Sequence, residues 1–297
     1  MIHEGILRYR NARYLWVALG LLAASVALYA TQGGLRPAGG GTWQGYTLGT
    51  LGALIILWLA WLGIRKRSYA STSGSVAGWT SAHVYLGLAL VAIATLHCAG
   101  RFGWNVHTLA YALTCAVVLT GILGLYTYLS FPRQLSANRA GGPRSQLFAE
   151  LYALDQEGRD IARRCNASID TAVKTSIERT ALGGGVLDQL LGRDRSRVSL
   201  DQADAGPGAS PLRSNADQQA VIDYVSNRVT RADKRIETAN LEALVLILCR
   251  RQAVLRRIRR DIRLHAWLKA WLYFHIPLTI ALIAALIAHI LATFLYW

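Results

Sequence analysis

Residues 83–97 read HVYLGLALVAIATLH, and residues 275–289 read HIPLTIALIAALIAH. Each stretch opens and closes on histidine, with a mostly apolar filling. A step of fourteen residues at about 100° per residue is nearly four whole turns, so His83 and His97 share one face of a helix, as do His275 and His289. The rise over that step is about 21 Å, which sets one histidine near each side of a bilayer's hydrocarbon. An ionisable side chain inside an apolar span is costly and usually functional. One such histidine alone says little, because a hydrogen bond to a neighbouring helix accounts for it. Two helices with the same step say more, since they can face each other and clamp two metals stacked across the membrane.

The surrounding composition supports a membrane setting. The chain has 297 residues, 53% hydrophobic and only 16% charged. Its apolar residues cluster into five runs, at about 14–31, 46–64, 80–99, 107–130 and 271–297. Crossing a bilayer takes about 20 mostly apolar residues, and a single span satisfies its backbone there as a helix. The first run follows Arg8, Arg10 and Arg13 and reads as a transmembrane helix rather than a signal peptide. The expected fold is all-α: five transmembrane helices, four of them forming a cofactor-holding bundle, and a polar, mostly helical insert. The boundaries are 1–132 for the first four helices, 133–265 for the insert and 266–297 for the last helix. Within the insert, Gln146 to Leu182 has helical periodicity and Gly183-Gly184-Gly185 breaks it. The centre, about 183–215, is rich in Gly, Pro, Ser, Asp and Arg and reads as flexible. Helical pattern resumes at Asp217 and runs through an arginine-rich stretch toward the last span. Loops are expected at Gly33–Gly41, which contains Pro37, and at Ser68–Gly78.

The net charge is +15, with arginine far outnumbering lysine. No groove-reading motif accompanies it, so nucleic acid is not the expected partner. Basic residues instead mark loops retained in the cytoplasm. Arg8, Arg10 and Arg13, then Arg65, Lys66 and Arg67, then the insert fall on one side; only Arg36 and Arg101 fall on the other. The N-terminus and the insert are therefore expected in the cytoplasm and the C-terminus outside, in a bacterial inner membrane. The third and fifth spans then run parallel. Parallel helices match first with first, pairing His83 with His275 and His97 with His289. Trp79 and Trp271, each four residues before the first histidine of its helix, set both at one depth, since Trp prefers the interface.

Haem suits these ligands better than zinc. Haem iron takes axial histidine and its flat apolar ring fits between helices, whereas zinc wants three or four ligands at one point. Axial methionine is excluded in practice, because Met1 is the only methionine. Cys98, Cys115, Cys165 and Cys249 form no CxxC or CxxCH, which argues against attached c-type haem, an iron–sulfur cluster or a structural zinc site. On these two histidine pairs the sequence resembles the membrane dihaem cytochromes b, the broad class that includes the cytochrome b of quinol–cytochrome c oxidoreductases, the cytochrome b561 group and the ferric reductase group. The resemblance covers the third and fifth spans, and loosely the second to fifth; it does not reach the insert. It implies two bis-His b-type haems stacked across a helical bundle.

Other residues have two readings each. Gly49 and Gly52, and Gly121 and Gly124, either give a macrocycle room or serve ordinary close packing. Arg101 can pair with haem propionates. His107 can do the same, exchange protons at a quinone pocket, or be a hydrated interface residue; it is also a rival to His97 as ligand. Arg263, His265 and Lys269 either neutralise inner propionates or anchor the helix at the membrane. The arginines at 250, 251, 256, 257, 259, 260 and 263 are expected at the membrane surface, against lipid headgroups or an acidic redox partner. His3 carries no reading.

Three functions fit. The first is an electron carrier linking a quinone pool with redox partner subunits: an iron–sulfur, flavin or c-type cytochrome protein. The second is a reductase of an external acceptor such as ferric iron, driven by quinol or another donor. The third is a non-redox membrane anchor or scaffold. No GxGxxG follows a strand, so electrons from a nicotinamide cofactor need a partner.

Overall fold

A computed structural model describes residues 5–32, 39–67, 74–200, 212–231 and 235–295. The described residues are about 82% helical, with no closed sheet among them. Its helices are α1 (Tyr9–Ala30), α2 (Trp43–Arg67), α3 (Val76–Cys98), α4 (Val106–Asn138), α5 (Arg144–Ala162), α6 (Ala167–Glu178), α7 (Val186–Leu191), α8 (Gln219–Val229) and α9 (Arg235–Leu295). Strands β1 (Arg197–Ser199) and β2 (Leu212–Ser214) pair antiparallel, Val198 opposite Arg213. His3, Arg36 and Pro37, the loop residues 68–73 and residues 201–211 lie outside the described residues.

Among the described residues five helices are long and apolar enough to cross a membrane: Ile6–Ala30, Trp43–Lys66, Val76–Cys98, Val106–Asn138 and Arg235–Leu295. Large apolar side chains stand exposed along them, among them Leu54, Leu57, Leu119, Leu123, Ile280 and Ile287. Contiguous apolar surface on this scale marks a lipid or protein interface. Both features are consistent with an integral membrane protein.

The chain divides into two compact units, one of residues 1–125 and 271–297, the other of residues 126–270. In the first, the core joins Ala18 of α1, Leu48, Ile55 and Ile56 of α2, Ala89, Leu90 and Ile93 of α3, and Leu282 and Leu286 of α9, with Leu113 and Val117 of α4 packed against them. Local chemistry sets where α3 lies. Ser75 caps its start, its hydroxyl accepting from the Gly78 amide at 3.1 Å. At its end Ala99 and Gly100 turn left-handed, at φ +49° and +69°.

The second unit has its own core. Leu147, Leu151 and Leu154 repeat at helical spacing along α5 and meet Ile247, Val254, Leu255 and Ile258 of α9. A second cluster gathers Ile169 and Val173 of α6, Val198 of β1, Val221 and Val225 of α8, and Leu241, Leu244 and Leu248 of α9. The stretch read from sequence as flexible holds α7 and both strands in its described part. Gly183 and Gly184, at φ +97° and +107°, make the break that the glycine triplet announces.

Two further features depart from the sequence reading. The fourth helix, bounded at residue 132 from the sequence, continues through Pro132 to Asn138, although proline removes a backbone bond. Its end is held by α9: Asn138 donates to the Arg257 carbonyl at 2.8 Å, Arg257 donates back at 3.0 Å, and Arg139 pairs with buried Asp261 at 2.6 Å. Part of the arginine run, in turn, faces inward. Arg251 is fully buried, donating to Asp155 at 2.6 Å, Gln218 at 2.5 Å and Thr180 at 2.9 Å. Arg259 pairs with Asp194, Arg256 with Asp217 and Arg257 with Glu150. Arg250, Arg256, Arg260 and Arg263 of that run are exposed. Composition marks the charge, but not which arginines have carboxylates waiting for them on other elements.

Removing one partner of a buried ion pair strands the other in low dielectric. Arg251→Ala should therefore destabilise the chain by about 3–5 kcal/mol. Exposed Arg250→Ala should change it by less than about 0.5 kcal/mol. Thermal melts of the full chain in lipid check the difference.

Candidate functional site

The four intramembrane histidines come from α3 and α9, and they meet in twos. The His83 and His275 rings lie with centroids 6.5 Å apart and planes at 59°. The His97 and His289 rings lie 5.9 Å apart at 77°. First meets first and second meets second, so α3 and α9 run in the same direction within this unit. Halfway along each fourteen-residue step stand Leu90 and Leu282, 3% and 2% exposed, which with Ile93 and Leu286 form an apolar layer between the pairs. The separation along either helix is about 21 Å.

Three of the four rings are seated by a neighbour. His97 Nδ1 lies 2.8 Å from the Gly45 carbonyl, which only accepts, so this nitrogen carries the proton and Nε2 keeps its lone pair. His275 Nδ1 lies 2.9 Å from Thr120 Oγ1. The Thr120 hydroxyl donates to the Val117 carbonyl at 2.8 Å, so it accepts from the ring, and His275 Nε2 is again left free. His289 Nδ1 lies 2.5 Å from Nδ1 of His107, whose ring stands edge-on 4.5 Å away. His83 Nδ1 is buried and makes no hydrogen bond of normal geometry.

Glycine makes the room. A β-carbon at Gly49 would stand 2.7 Å from His97 Cε1, and one at Gly40 3.4 Å from the same atom. A β-carbon at Gly121 would meet His275 Cε1 at 3.5 Å, and one at Gly124 would meet the Trp271 ring at 2.7 Å. Gly52 faces Leu90 instead. The glycines noted in the sequence thus line the histidine layers directly, apart from Gly52. Trp271 lies against His275 with centroids 5.2 Å apart, while Trp79 stacks on Trp58 of α2 at 4.8 Å.

Of the accessory residues, exposed Arg101 extends to the α2 lead-in, its Nη1 3.7 Å from where a Gly39 β-carbon would stand. His107, also exposed, is the partner of His289 rather than an isolated interface residue. His265 donates to the Asp261 carbonyl of its own helix at 2.9 Å. Sequence reasoning passed over Gly40, Gly45 and Thr120. The series Gly40, Gly45, Gly49 was there to be noticed, but the role of Gly45 belongs to its carbonyl and that of Thr120 to a neighbouring helix.

The geometry suits one metal between the rings of each pair. A metal–imidazole bond of about 2.0 Å and a ring radius of about 1.2 Å, taken on both sides, put axial imidazole centroids about 6.4 Å apart. The observed 6.5 and 5.9 Å lie close to that value. Nδ1–H bonded to a carbonyl or hydroxyl, with Nε2 free, is the arrangement that orients a metal-binding histidine. Among the described residues no group of three or more His, Cys, Asp or Glu converges as a metal cluster, so donors are offered in twos.

Compared with known protein families, with curated proteins and with solved structures, the chain matches none.

Gly49→Val drives a side chain into the His97 ring. If each pair holds one haem, it should halve the haem bound per chain, by loss from the His97–His289 pair alone, while Gly52→Ala retains both. Haem assay of the purified variants distinguishes the two outcomes.

Proposed function

We propose that this chain is a dihaem b-type membrane cytochrome that passes electrons across the membrane between a quinone pool and redox partner subunits. The observation that carries the reading is the meeting of two histidine pairs, at 6.5 and 5.9 Å, four helical turns apart in a bundle of apolar helices. Haem between each pair would supply a one-electron carrier on either side of the hydrocarbon.

The chain's own residues have distinct tasks in this scheme. His83 and His275 hold one group, His97 and His289 the other. The Gly45 carbonyl and the Thr120 hydroxyl fix the His97 and His275 rings and raise their basicity as ligands. Gly49 and Gly121 leave space beside the rings. Leu90, Ile93, Leu282 and Leu286 keep water from the layer between. His107 accepts from His289 Nδ1 and so acts as a positioning residue. Arg101 is assigned to a propionate on the same side. The count of Lys and Arg favours the N-terminus and residues 133–265 on the cytoplasmic side and the C-terminus outside, in what we read as a bacterial inner membrane. The redox partners are an iron–sulfur, flavin or c-type cytochrome protein, with quinone or quinol as the diffusible substrate.

His97→Ala and His289→Ala should remove the same haem, and His83→Ala and His275→Ala the other, as read from reduced-minus-oxidised spectra. Loss of different haems from His97→Ala and His289→Ala would refute the pairing. Reduction by quinol that a quinone-site inhibitor abolishes supports the carrier role. Quinol-driven turnover of ferric iron by the isolated chain would instead favour the reductase reading.

Loss of the ring partner of a metal ligand typically lowers affinity by about 10–100-fold. His107→Leu should therefore weaken haem retention at the His97–His289 pair by about that factor, leaving the other pair unchanged. Haem transfer to apomyoglobin measures the release.

A further inference from the structure

We infer that α7 is a second membrane-contacting element, which lays its apolar side chains into the surface of the bilayer next to the point where α9 enters it. This inference rests on α9 crossing the membrane and is independent of haem.

Helix α7 is short, and its sequence VLDQLL offers little reason for it to be on the surface. Yet Val186, Leu187 and Leu191 are 60%, 70% and 58% exposed, and Leu182 just before them is also exposed. Water is a poor medium for four such side chains in one ten-residue stretch. The helix is not loosely attached. Asp188 is buried and pairs with Arg195 at 2.8 Å, and Gly192, left-handed at φ +66°, closes the helix by a backbone bond to Asp188. The apolar face is therefore held outward by a fixed helix.

What covers it follows from a second contact. Trp267 of α9 donates from Nε1 to the Leu190 carbonyl at 3.3 Å, so α7 lies at the height of Trp267. Trp267 itself is half exposed and sits just before the apolar run of α9, in the sequence HAWLKAWLYF at 265–274. Trp at such a border marks the headgroup level of a bilayer. Arginines ring the same spot: Arg193, Arg195, Arg197 and Arg263 are exposed, and Arg263 Nη1 reaches to 3.4 Å from where a Gly192 β-carbon would stand. Apolar residues flanked by arginine at headgroup height is the pattern of an interfacial helix on anionic lipid. The bilayer, rather than another protein, is the occupant that this height and this charge select.

The test places the photo-crosslinking amino acid p-benzoylphenylalanine at Leu187, in the full chain reconstituted in vesicles of phosphatidylethanolamine and phosphatidylglycerol. Ile236 and Ile287 are the comparison sites, both exposed and apolar. Ile236 is 31 residues before Trp267 on the same helix, about 46 Å away along its axis, and Ile287 lies inside the apolar run. After irradiation, mass spectrometry is expected to find phospholipid adducts at Leu187 and Ile287 and none at Ile236. Adducts at Ile287 but none, or only protein adducts, at Leu187 would overturn the α7 inference and leave the α9 span standing. No lipid adduct at either site would overturn both. Equal lipid labelling at Ile236 and Leu187 would also overturn the inference, because depth would then not decide it.

Discussion

An imidazole in an apolar helix carries one N–H and one lone pair, and neither tolerates burial without a partner. That constraint is met at three of the four rings, His83 Nδ1 being buried without a hydrogen bond of normal geometry. For His97 and His275 the N–H is answered by the Gly45 carbonyl and the Thr120 hydroxyl, and for His289 the answering group is His107. The other side of each ring faces a second histidine across about 6 Å. Once the rings meet first with first and second with second, α3 and α9 must run parallel, glycine must stand where the rings press on α2 and α4, and an apolar layer must fill the middle. The packing shows all three.

The arginine-rich part of α9 follows a different economy. A helix with this much positive charge invites a reading as a membrane-surface element. The second unit instead uses Arg251 as a buried hub, tying α5, the turn after α6 and the turn before α8 to one helix. Arg139 and Arg144 do likewise around buried Asp261. Such pairs contribute uniqueness of arrangement more than net stability, because desolvation offsets much of the attraction.

The main outline was legible because it is periodic. Apolar runs of span length, the repeated fourteen-residue step and the basic loops are all properties of sequence spacing, and each needs no knowledge of neighbours. Pairing followed from counting spans. What stayed hidden is what depends on tertiary contact. Thr120 is an ordinary threonine until a ring from α9 reaches it. Gly45 matters through its backbone, which no side-chain pattern reports. His107 looked like one more interface residue because no histidine lies fourteen positions from it and the ring that it meets is 182 positions away. The boundary at residue 132 fell short for the same reason: Pro132, a local helix breaker, was outweighed by Asn138 and Arg139 docking beyond it.

The central claim is that each histidine pair holds one haem through two axial imidazoles. Electron paramagnetic resonance of the purified, oxidised full chain tests it most directly. Bis-histidine ligation at both pairs requires two low-spin ferric signals of comparable weight and no substantial high-spin signal. Absence of haem, a single low-spin species, or a dominant high-spin signal would contradict it.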